Sequence, residues 1–312
     1  MYNQENSKTS KWMLLTYFVF SFYYFGVVVM TYFVSYPQMQ KVTKNIHDYM
    51  QLFNYKMAFF CYVPAVLMIV SLLLLVAFYS KMFSRLTLWS SLGLALFSVL
   101  TTFFVIIPMH NELPSTGLDI VVSSKLFMRA IYFQIIPAAI QVIIAIGMIY
   151  KYMSGSSVIG RALFIAVFFL AIYSWGTLYI ESLVGYPMWL LVDPSEWLAT
   201  RKAVGLAIPA FIWVFLIPLY LPLLLLIPML WARPKGVSKY SISIFFVALL
   251  WVFIITAVYF VPDIQLKLTV GYSRELIEDL NKYDFLLRGI PDLVYFITVC
   301  YMFLKIERIA LE

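Results

Sequence analysis

Histidine, cysteine and charged residues are scarce in this sequence, and the shortage of histidine excludes whole classes of metal chemistry. The 312 residues include 2 histidines and 2 cysteines, and only 12% are charged. Haem ligation by paired histidines, a di-iron centre of carboxylates and histidines, and a three-histidine zinc site cannot be assembled from this chain alone. We therefore expect no metal, and the sequence names no cofactor. Cys61 and Cys300 lie inside apolar runs without CxxC spacing, which is typical of packing residues.

Common catalytic strings and a basic face for nucleic acid are also missing. The strings GxxxxGK[ST], GxSxG and HExxH do not occur. Although the formal net charge is +7, the basic residues stand in short segments between apolar runs and form no continuous basic face. We expect no nucleic-acid partner, and whether the protein is an enzyme stays open.

Long apolar runs dominate what is present. Hydrophobic residues make up 63% of the chain and the mean hydropathy is +0.91, whereas soluble domains carry about 25% charged residues. About 20 apolar residues in a helix cross a hydrocarbon layer about 30 Å thick, and continuous runs favour helices over a barrel. The sequence predicts an all-α integral membrane protein with eight transmembrane helices: Trp12 to Tyr36, Met57 to Tyr79, Leu86 to Pro108, Ala130 to Tyr150, Ala162 to Ile180, Ala203 to Trp231, Tyr240 to Pro262 and Leu286 to Leu304.

Landmarks that recur in the same order predict an internal duplication. They are Tyr36-Pro37 with Tyr186-Pro187, Pro64-Ala65 with Pro209-Ala210, Pro108 with Pro262, and Gly117 with Gly271. We predict two tandem four-helix repeats, at residues 12–155 and 156–305, between tails at 1–11 and 306–312; chance matching of prolines in apolar sequence is the alternative. Because each repeat has an even number of spans, both repeats have the same orientation.

Basic residues in the shortest loops predict the topology. The segments "SKMFSR", "KYMSGSSVIGR" and "RPKGVSK" place Lys and Arg beside helix ends, which favours the cytoplasmic side for these loops and for both termini. The high aromatic content suits a bacterial inner membrane and would also suit an organelle membrane.

Three segments predict short helices on the opposite side. In the first, the stripe of Met39, Val42, Ile46, Met50 and Phe53 predicts an amphipathic helix that lies in the membrane interface. In "VDPSEW", Asp193 and Pro194 predict the start of a new helix. In the third segment, Ser273 is a predicted cap of a helix with an apolar stripe at Leu276, Leu280, Tyr283 and Leu287.

Polar residues beside Pro108 and Pro262 form the first candidate site. His110, Asn111 and Glu112 follow the first proline, and Asp263 and Gln265 follow the second. If the four helices of each repeat bundle, these residues lie near Arg129 and Arg288. One interpretation is an ion-pair network, Glu112 with Arg129 and Asp263 with Arg288. The alternatives are a pair of anion pockets, or a proton-accepting His110/Glu112 pair.

Polar side chains within predicted spans form the second candidate set. Arg288 and Asp292 are four residues apart, so they either pair along one helix face or bind a ligand. Gln134 and Gln141 share a face of the fourth helix, where amides either bond to another helix or line a polar cavity.

The string "IIPMHNELPSTGLD" followed by "SSKLFMRAIYF" resembles the anthrone-oxygenase-like family of four-helix bacterial membrane proteins. The residues that carry the resemblance are Pro108, His110, Asn111, Leu113, Gly117 and Arg129. It covers residues 12–150, with a weaker echo at 165–305. The resemblance implies a four-helix membrane fold, and it implies an oxygenase that would use His110 as proton acceptor for an aromatic or quinone-like substrate.

The predicted function is binding of a small lipophilic or anionic ligand, such as a lipid, quinone or pigment, near the outer ends or junction of the two repeats. The first alternative is a non-catalytic subunit of a larger membrane complex. The second is a cofactor-independent oxygenase-like enzyme or a transporter.

Overall fold

The described part of the chain, residues 2–78, 83–116, 120–205 and 211–307 of a computed structural model, is built of helices and short loops. None of these residues is in a strand. The helices are α1 (2–39), α2 (Ile46–Phe78), α3 (85–116), α4 (120–152), α5 (Val158–Trp189), α6 (Trp197–Gly205), α7 (211–232), α8 (Lys239–Val270) and α9 (Arg274–Lys305). We call α1 to α4 the first half and α5 to α9 the second half.

Within the described ranges, seven helices are long and apolar enough to cross a membrane. The chain is thus an all-α, multi-pass membrane protein. The predicted sixth span, Ala203 to Trp231, falls on the end of α6, on residues 206–210, which lie outside the described ranges, and on α7. The last part of α7, Ile217–Ala232, is a shorter apolar helix.

Two spans extend well beyond their apolar runs. The predicted interfacial helix is wrong as a separate element, because α2 is unbroken from Ile46 to Phe78. Residues 46–57 contain no glycine or proline, so the helix continues past the hydrocarbon-length run. Its stripe is nevertheless packed, with Met50 and Phe53 buried. In the same way α9 begins at Arg274, and the side chain of Ser273 caps it as predicted.

The Asp193-Pro194 segment forms a turn instead of the first turn of a helix, and α6 begins only at Trp197. The carboxylate of Asp193 accepts hydrogen bonds from the backbone N–H of Ser195 at 2.9 Å and from its hydroxyl. These bonds hold the chain in an Asx-turn. The helix therefore begins three residues later than predicted.

Every helix except α6 contains a wide π-helical turn with a proline in it or shortly after it. In seven helices the proline lies two residues after the turn, and in α8 the longer turn Thr256–Gln265 contains Pro262. Proline lacks an N–H and its ring strikes the preceding turn of an α-helix, and a π-helical turn accommodates both effects. The prolines are Pro37, Pro64, Pro108, Pro137, Pro187, Pro218, Pro262 and Pro291.

Pro108 and Pro262, the last residues of the predicted third and seventh spans, do not end their helices. The π-helical turns absorb both prolines, so α3 continues to Thr116 and α8 continues to Val270. The polar residues after each proline therefore project from helix, and each lies on a defined face of it.

Helices α1 and α5 form the centre of the molecule. Helix α1 also packs on α2 and α4, while α5 packs on α7 and α9, so each half surrounds one central helix. At their crossing, a Cβ on Gly26 would strike the carbonyl oxygen of Tyr173, and a Cβ on Gly176 would strike that of Tyr23. Small residues at this crossing allow the two backbones to approach closely.

Both halves run in the same direction. Lys11 donates to the carbonyl oxygen of Ile306 at 3.1 Å, which places the start of α1 beside the end of α9. At the opposite end, which we call the distal end, Asn45 donates to the carbonyl oxygen of Leu191 at 3.0 Å. Pro108 and Pro262 both lie toward the distal end.

Candidate functional site

A cavity of about 360 Å³ lies in the second half, toward the distal end. Its walls come from α1, α5, α6, α7, α8 and α9 and are largely apolar, with side chains such as Met30, Leu219 and Val252. Polar groups gather on the part of the wall formed by α5, α6 and α9. The polar side chains with the most bearing on chemistry are Gln38, Glu181, Tyr186, Arg201, Thr256 and Arg288.

Arg288 is the best-anchored cation of the cavity. Its guanidinium forms a buried ion pair with Asp284, donates to the hydroxyl of Tyr186 at 2.8 Å and lies 4.4 Å from the ring centre of Phe260. An acid four residues before a base on a helix is the favoured order. The ion pair also compensates the cost of holding a charge away from water.

Arg201 is the second cation, and it has no carboxylate partner within ion-pair distance among the described residues. It donates to Gln265 Oε1 at 2.9 Å and lies 4.7 Å from the ring centre of Trp189. Arginine remains charged in proteins. An aromatic face and one amide thus hold this cation at the cavity wall.

Four polar atoms on residues lining the cavity lack a hydrogen-bond partner within the described part of the chain. They are Glu181 Oε2, Trp189 Nε1, Arg201 Nε and Thr256 Oγ1. Only 7% of Glu181 and 3% of Trp189 is exposed, so water does not reach either of them freely. An unsatisfied buried polar group costs about 1–3 kcal/mol, more when charged. Two N–H donors, one hydroxyl and one carboxyl oxygen at the cavity are therefore available to a polar group of a ligand.

A second, small void lies between α5 and α9, beside the cavity. Its volume is about 10 Å³, room for a single water molecule, and Arg288 lines both spaces. Asp292 lines the void with 2% of its surface exposed, and its Oδ1 has no partner among the described residues. The predicted Arg288–Asp292 pair is thus wrong, because Arg288 pairs one turn earlier, with Asp284.

At the distal end, Thr43 and Lys44 contact Asp193 and Glu196 through a set of exposed bonds that we call the latch. Glu196 accepts hydrogen bonds from the backbone N–H groups of Thr43 and Lys44, at 3.1 and 3.2 Å. Lys44 Nζ lies 3.1 Å from Asp193 Oδ1. Hydrogen bonds from Ser195, together with Lys44, lower the pKa of Asp193 to about 2. The latch thus joins the loop before α2 to the turn before α6.

In the first half, His110 is enclosed by its neighbours. Its Nε2 lies 3.1 Å from the hydroxyl of Tyr36 and its Nδ1 lies 3.3 Å from Asn54 Oδ1. The rings of Phe53 and Tyr36 pack edge-on against the imidazole. Asn111 accepts from Asn54 Nδ2 at 3.2 Å. With both ring nitrogens engaged and 3% of the residue exposed, His110 is held as a packed polar residue.

Three further residues of the first candidate site, Glu112, Arg129 and Asp263, are exposed and do not line the cavity. Arg129 lies at the surface, with Nη1 3.4 Å from Met109 Sδ, and Glu112 is exposed as well. Asp263 pairs with Lys267 at 3.3 Å, so the predicted Asp263–Arg288 pair is wrong. The i, i+4 neighbour on its own helix is closer than a residue on α9.

The two glutamines of α4 bond to neighbouring helices. Gln134 donates to Thr102 Oγ1 at 3.0 Å, and Gln141 donates to the hydroxyl of Tyr17 at 2.9 Å. These are the interhelical hydrogen bonds that the packing interpretation requires.

Of the predicted site residues, Arg288 and Asp292 line the void, and Arg288 lines the cavity together with Gln265. His110 and Asn111 both contact Asn54 in the first half. The sequence interpretation missed Glu181, Tyr186, Arg201 and Asp284, which belong to α5, α6 and α9. Glu181 carried a usable signal, since it is the first acid after the apolar run 162–180. No comparable signal marked Arg201, because it stands in a segment rich in polar residues.

Comparisons of the chain with protein-family models, with curated proteins and with solved structures find no match.

Proposed function

We propose that this membrane protein binds a small lipophilic molecule with a polar, typically anionic, head group in the cavity of the second half. The observation that carries the proposal is the set of four unpartnered polar atoms around an otherwise apolar space of about 360 Å³. Apolar pockets of a few hundred Å³ with a few convergent polar groups are the usual form of a ligand site.

The distribution of charge suggests how such a ligand is oriented. Arg201 Nε and Trp189 Nε1 are donors without partners, so they suit an acceptor such as a carboxylate, sulfate or phosphate oxygen. Glu181 suits a hydroxyl or ammonium donor on the same head group. The apolar wall around Leu219 and Val252 then takes the lipophilic part.

The architecture that supports this site is, in our proposal, a duplicated unit with eight membrane spans, in which α6 and α7 form the sixth. The support is the repeated arrangement of a π-helical turn and a proline, together with the reciprocal contact of Gly26 and Gly176. On this basis Pro64 corresponds to Pro218, and not to Pro209, which lies outside the described residues. Pro137 and Pro291 form a further pair that the sequence interpretation did not use.

Binding is favoured over the oxygenase alternative by the position of His110. Its two ring nitrogens contact Tyr36 and Asn54, and the cavity lies in the other half of the molecule. The resemblance to the anthrone-oxygenase-like family therefore remains a proposal about fold. Normal turnover of an aromatic substrate by His110→Ala would exclude a catalytic role for this histidine.

Decyl sulfate is a suitable probe, because it is a lipophile whose head group stays anionic. We expect the full chain in nanodiscs of zwitterionic lipid to bind decyl sulfate more tightly than decanol. Arg201→Gln should weaken decyl sulfate binding about tenfold or more, since a hydrogen bond to a charged group contributes about 1.5–3 kcal/mol. Arg274→Gln is the matched control, because Arg274 is exposed and pairs with Glu278.

Equal binding of decyl sulfate and decanol, unchanged by Arg201→Gln, would contradict the proposal. Native mass spectrometry of the purified protein tests the scaffold alternative at the same time. A bound small molecule that is lost in Arg201→Gln supports ligand binding, whereas stable partner subunits with no bound molecule support a structural role in a complex.

A further inference from the structure

We propose that Asp292 is a proton-binding site, and that its proton is coupled through Arg288 to occupancy of the neighbouring cavity. This inference rests on the proposed function, because it concerns what accompanies ligand binding. It adds an activity, the uptake of a proton with an anionic ligand, to a site that would otherwise only bind.

The position of Asp292 is unusual for a carboxyl group. It is buried on α9, its Oδ1 has no hydrogen-bond partner among the described residues, and it faces the small void. Intramembrane carboxyls without an ion-pair partner are costly and mark proton relays or ligand pathways. A void that admits one water molecule gives such a carboxyl a route for exchanging its proton.

Arg288 connects Asp292 to the cavity. On α9 it has a carboxylate one turn before it, Asp284, and another one turn after it, Asp292. It is paired with Asp284 and with the hydroxyl of Tyr186, and it lines both the cavity and the small void. A guanidinium between two carboxyls is shared by both when both are charged, and it belongs to one when the other carries a proton.

The charges that face these two spaces make the coupling necessary. From the described residues they are Glu181 on α5, Arg201 on α6, and Asp284, Arg288 and Asp292 on α9. Three carboxyls thus face two guanidiniums. Lys56 of α2 donates to the carbonyl oxygen of Leu183, a residue that lines the void, but Lys56 itself lines neither space.

Titratable hydroxyls complete the surroundings. Tyr179 and Tyr186 of α5 line the void and the cavity respectively. Tyr295 lies on α9 one turn after Asp292, and its hydroxyl donates to Ser174 Oγ at 3.2 Å. Since Ser174 lines the cavity, these hydroxyls lead from the cavity toward Asp292. From α8, Thr256 and Phe260 line the cavity, and neither carries charge.

An anionic head group adds one more negative charge to the three carboxyls and two guanidiniums of this poorly solvated site. Its binding is favoured when Asp292 is protonated, because Asp292 then does not compete with the ligand for the positive charge of Arg288. When Asp292 loses the proton, it competes for Arg288 and weakens the ligand. Proton binding and anion binding therefore favour each other, by the reciprocity of linked equilibria.

The first test is the pH dependence of decyl sulfate binding to the full chain in nanodiscs. The head group of this probe stays charged, so the protein alone titrates. We expect affinity to fall as pH rises, by up to about tenfold per pH unit where one proton is linked. Asp292→Asn should bind with the wild-type acidic affinity at every pH. Asp263→Asn, which alters an exposed pair, should follow the wild type.

A wild-type affinity that is independent of pH would overturn the inference, as would an Asp292→Asn variant that keeps the wild-type slope. A second readout needs no ligand. Infrared difference spectra between acidic and alkaline samples should show a carboxylic-acid band that is absent in Asp292→Asn and retained in Asp263→Asn. Without that band the inference fails. If the band is present but decyl sulfate does not bind, the proton site stands and the proposed ligand site fails.

Discussion

The two halves of the molecule share a scaffold but differ in what fills it. Three residues before the proline of the last helix, the first half has Gln134 and the second has Arg288. Gln134 donates a hydrogen bond to the neutral hydroxyl of Thr102, whereas the guanidinium of Arg288 is paired with the buried carboxylate of Asp284. Among the described residues, single unpartnered atoms such as Gln141 Oε1 also occur in the first half, whereas in the second half four such atoms lie on residues around one open space.

The two halves differ in side-chain size at one position that borders that space. Tyr24 lies twelve residues before Tyr36, and Ser174 lies twelve residues before Tyr186. In the first half, the region between Tyr24, Ala65 and Thr102 has no room for a water molecule. In the second half, Ser174 lines the cavity. A tyrosine ring thus occupies in one half the position that a small hydroxyl leaves open in the other.

The largest effect is expected from giving the second half the residues of the first. Arg288→Gln alone leaves Asp284 buried without its partner and should cost about 3–5 kcal/mol of stability. Asp284→Ala with Arg288→Gln reproduces the pair Ala130 and Gln134, and this double variant should recover most of the loss. Thermal unfolding in detergent measures both. A double variant no more stable than the single one would contradict the equivalence of the two positions.

A smaller loss should follow from filling the contact between the halves. Gly176→Leu drives a side chain into the carbonyl oxygen of Tyr23, so α1 and α5 must separate. We expect a loss of about 3 kcal/mol, at the upper end for overpacked cores. Gly147→Leu is the control, because nothing lies within 4 Å of a Cβ there. Equal melting temperatures for the two variants would show that the close approach does not matter.

Ser174→Tyr should close the cavity with the side chain that the first half uses. Decyl sulfate affinity should fall about tenfold or more, equivalent to about 1.4 kcal/mol, because the ring takes the volume that the ligand needs. Ser243→Tyr, on the exposed face of α8, should leave affinity unchanged. Retained binding in Ser174→Tyr, with the fold intact by thermal unfolding, would place the ligand elsewhere.

The smallest effect is expected when acid protonates Asp193 and weakens the latch. The pKa of Asp193 is lowered to about 2 from 3.8 by Ser195 and Lys44. A lowered folded-state pKa means that the contribution of the latch is complete above pH 3.8 and is lost as pH falls toward 2. The protection of the Thr43 and Lys44 amides against hydrogen exchange, measured relative to the intrinsic exchange rate at each pH, should fall over that range. In Asp193→Asn this protection should be low at both ends of the range.

The spans could be predicted because hydropathy is a local property, and the seven long apolar helices lie where the runs predicted them. The ends could not, since α2 and α9 continue through polar residues that contain no helix breaker. The site was harder. Arg288 and Asp292 stand out as charges within an apolar run, but Arg201 looks like an ordinary surface residue until α6 places it against Trp189. The partner of Arg288 could have been predicted, because an acid four residues before a base is the favoured order and Asp284 stands in that position.

The contact of Gly26 with Tyr173 and of Gly176 with Tyr23 is self-complementary, which is the form that a twofold homodimer uses. In a homodimer every change of sequence is made in both subunits, so a buried ion pair would have to be accommodated twice. Under the proposed duplication, fusion of two such subunits removes that obligation, so that one copy can remain a closed support while the other gains charge and volume.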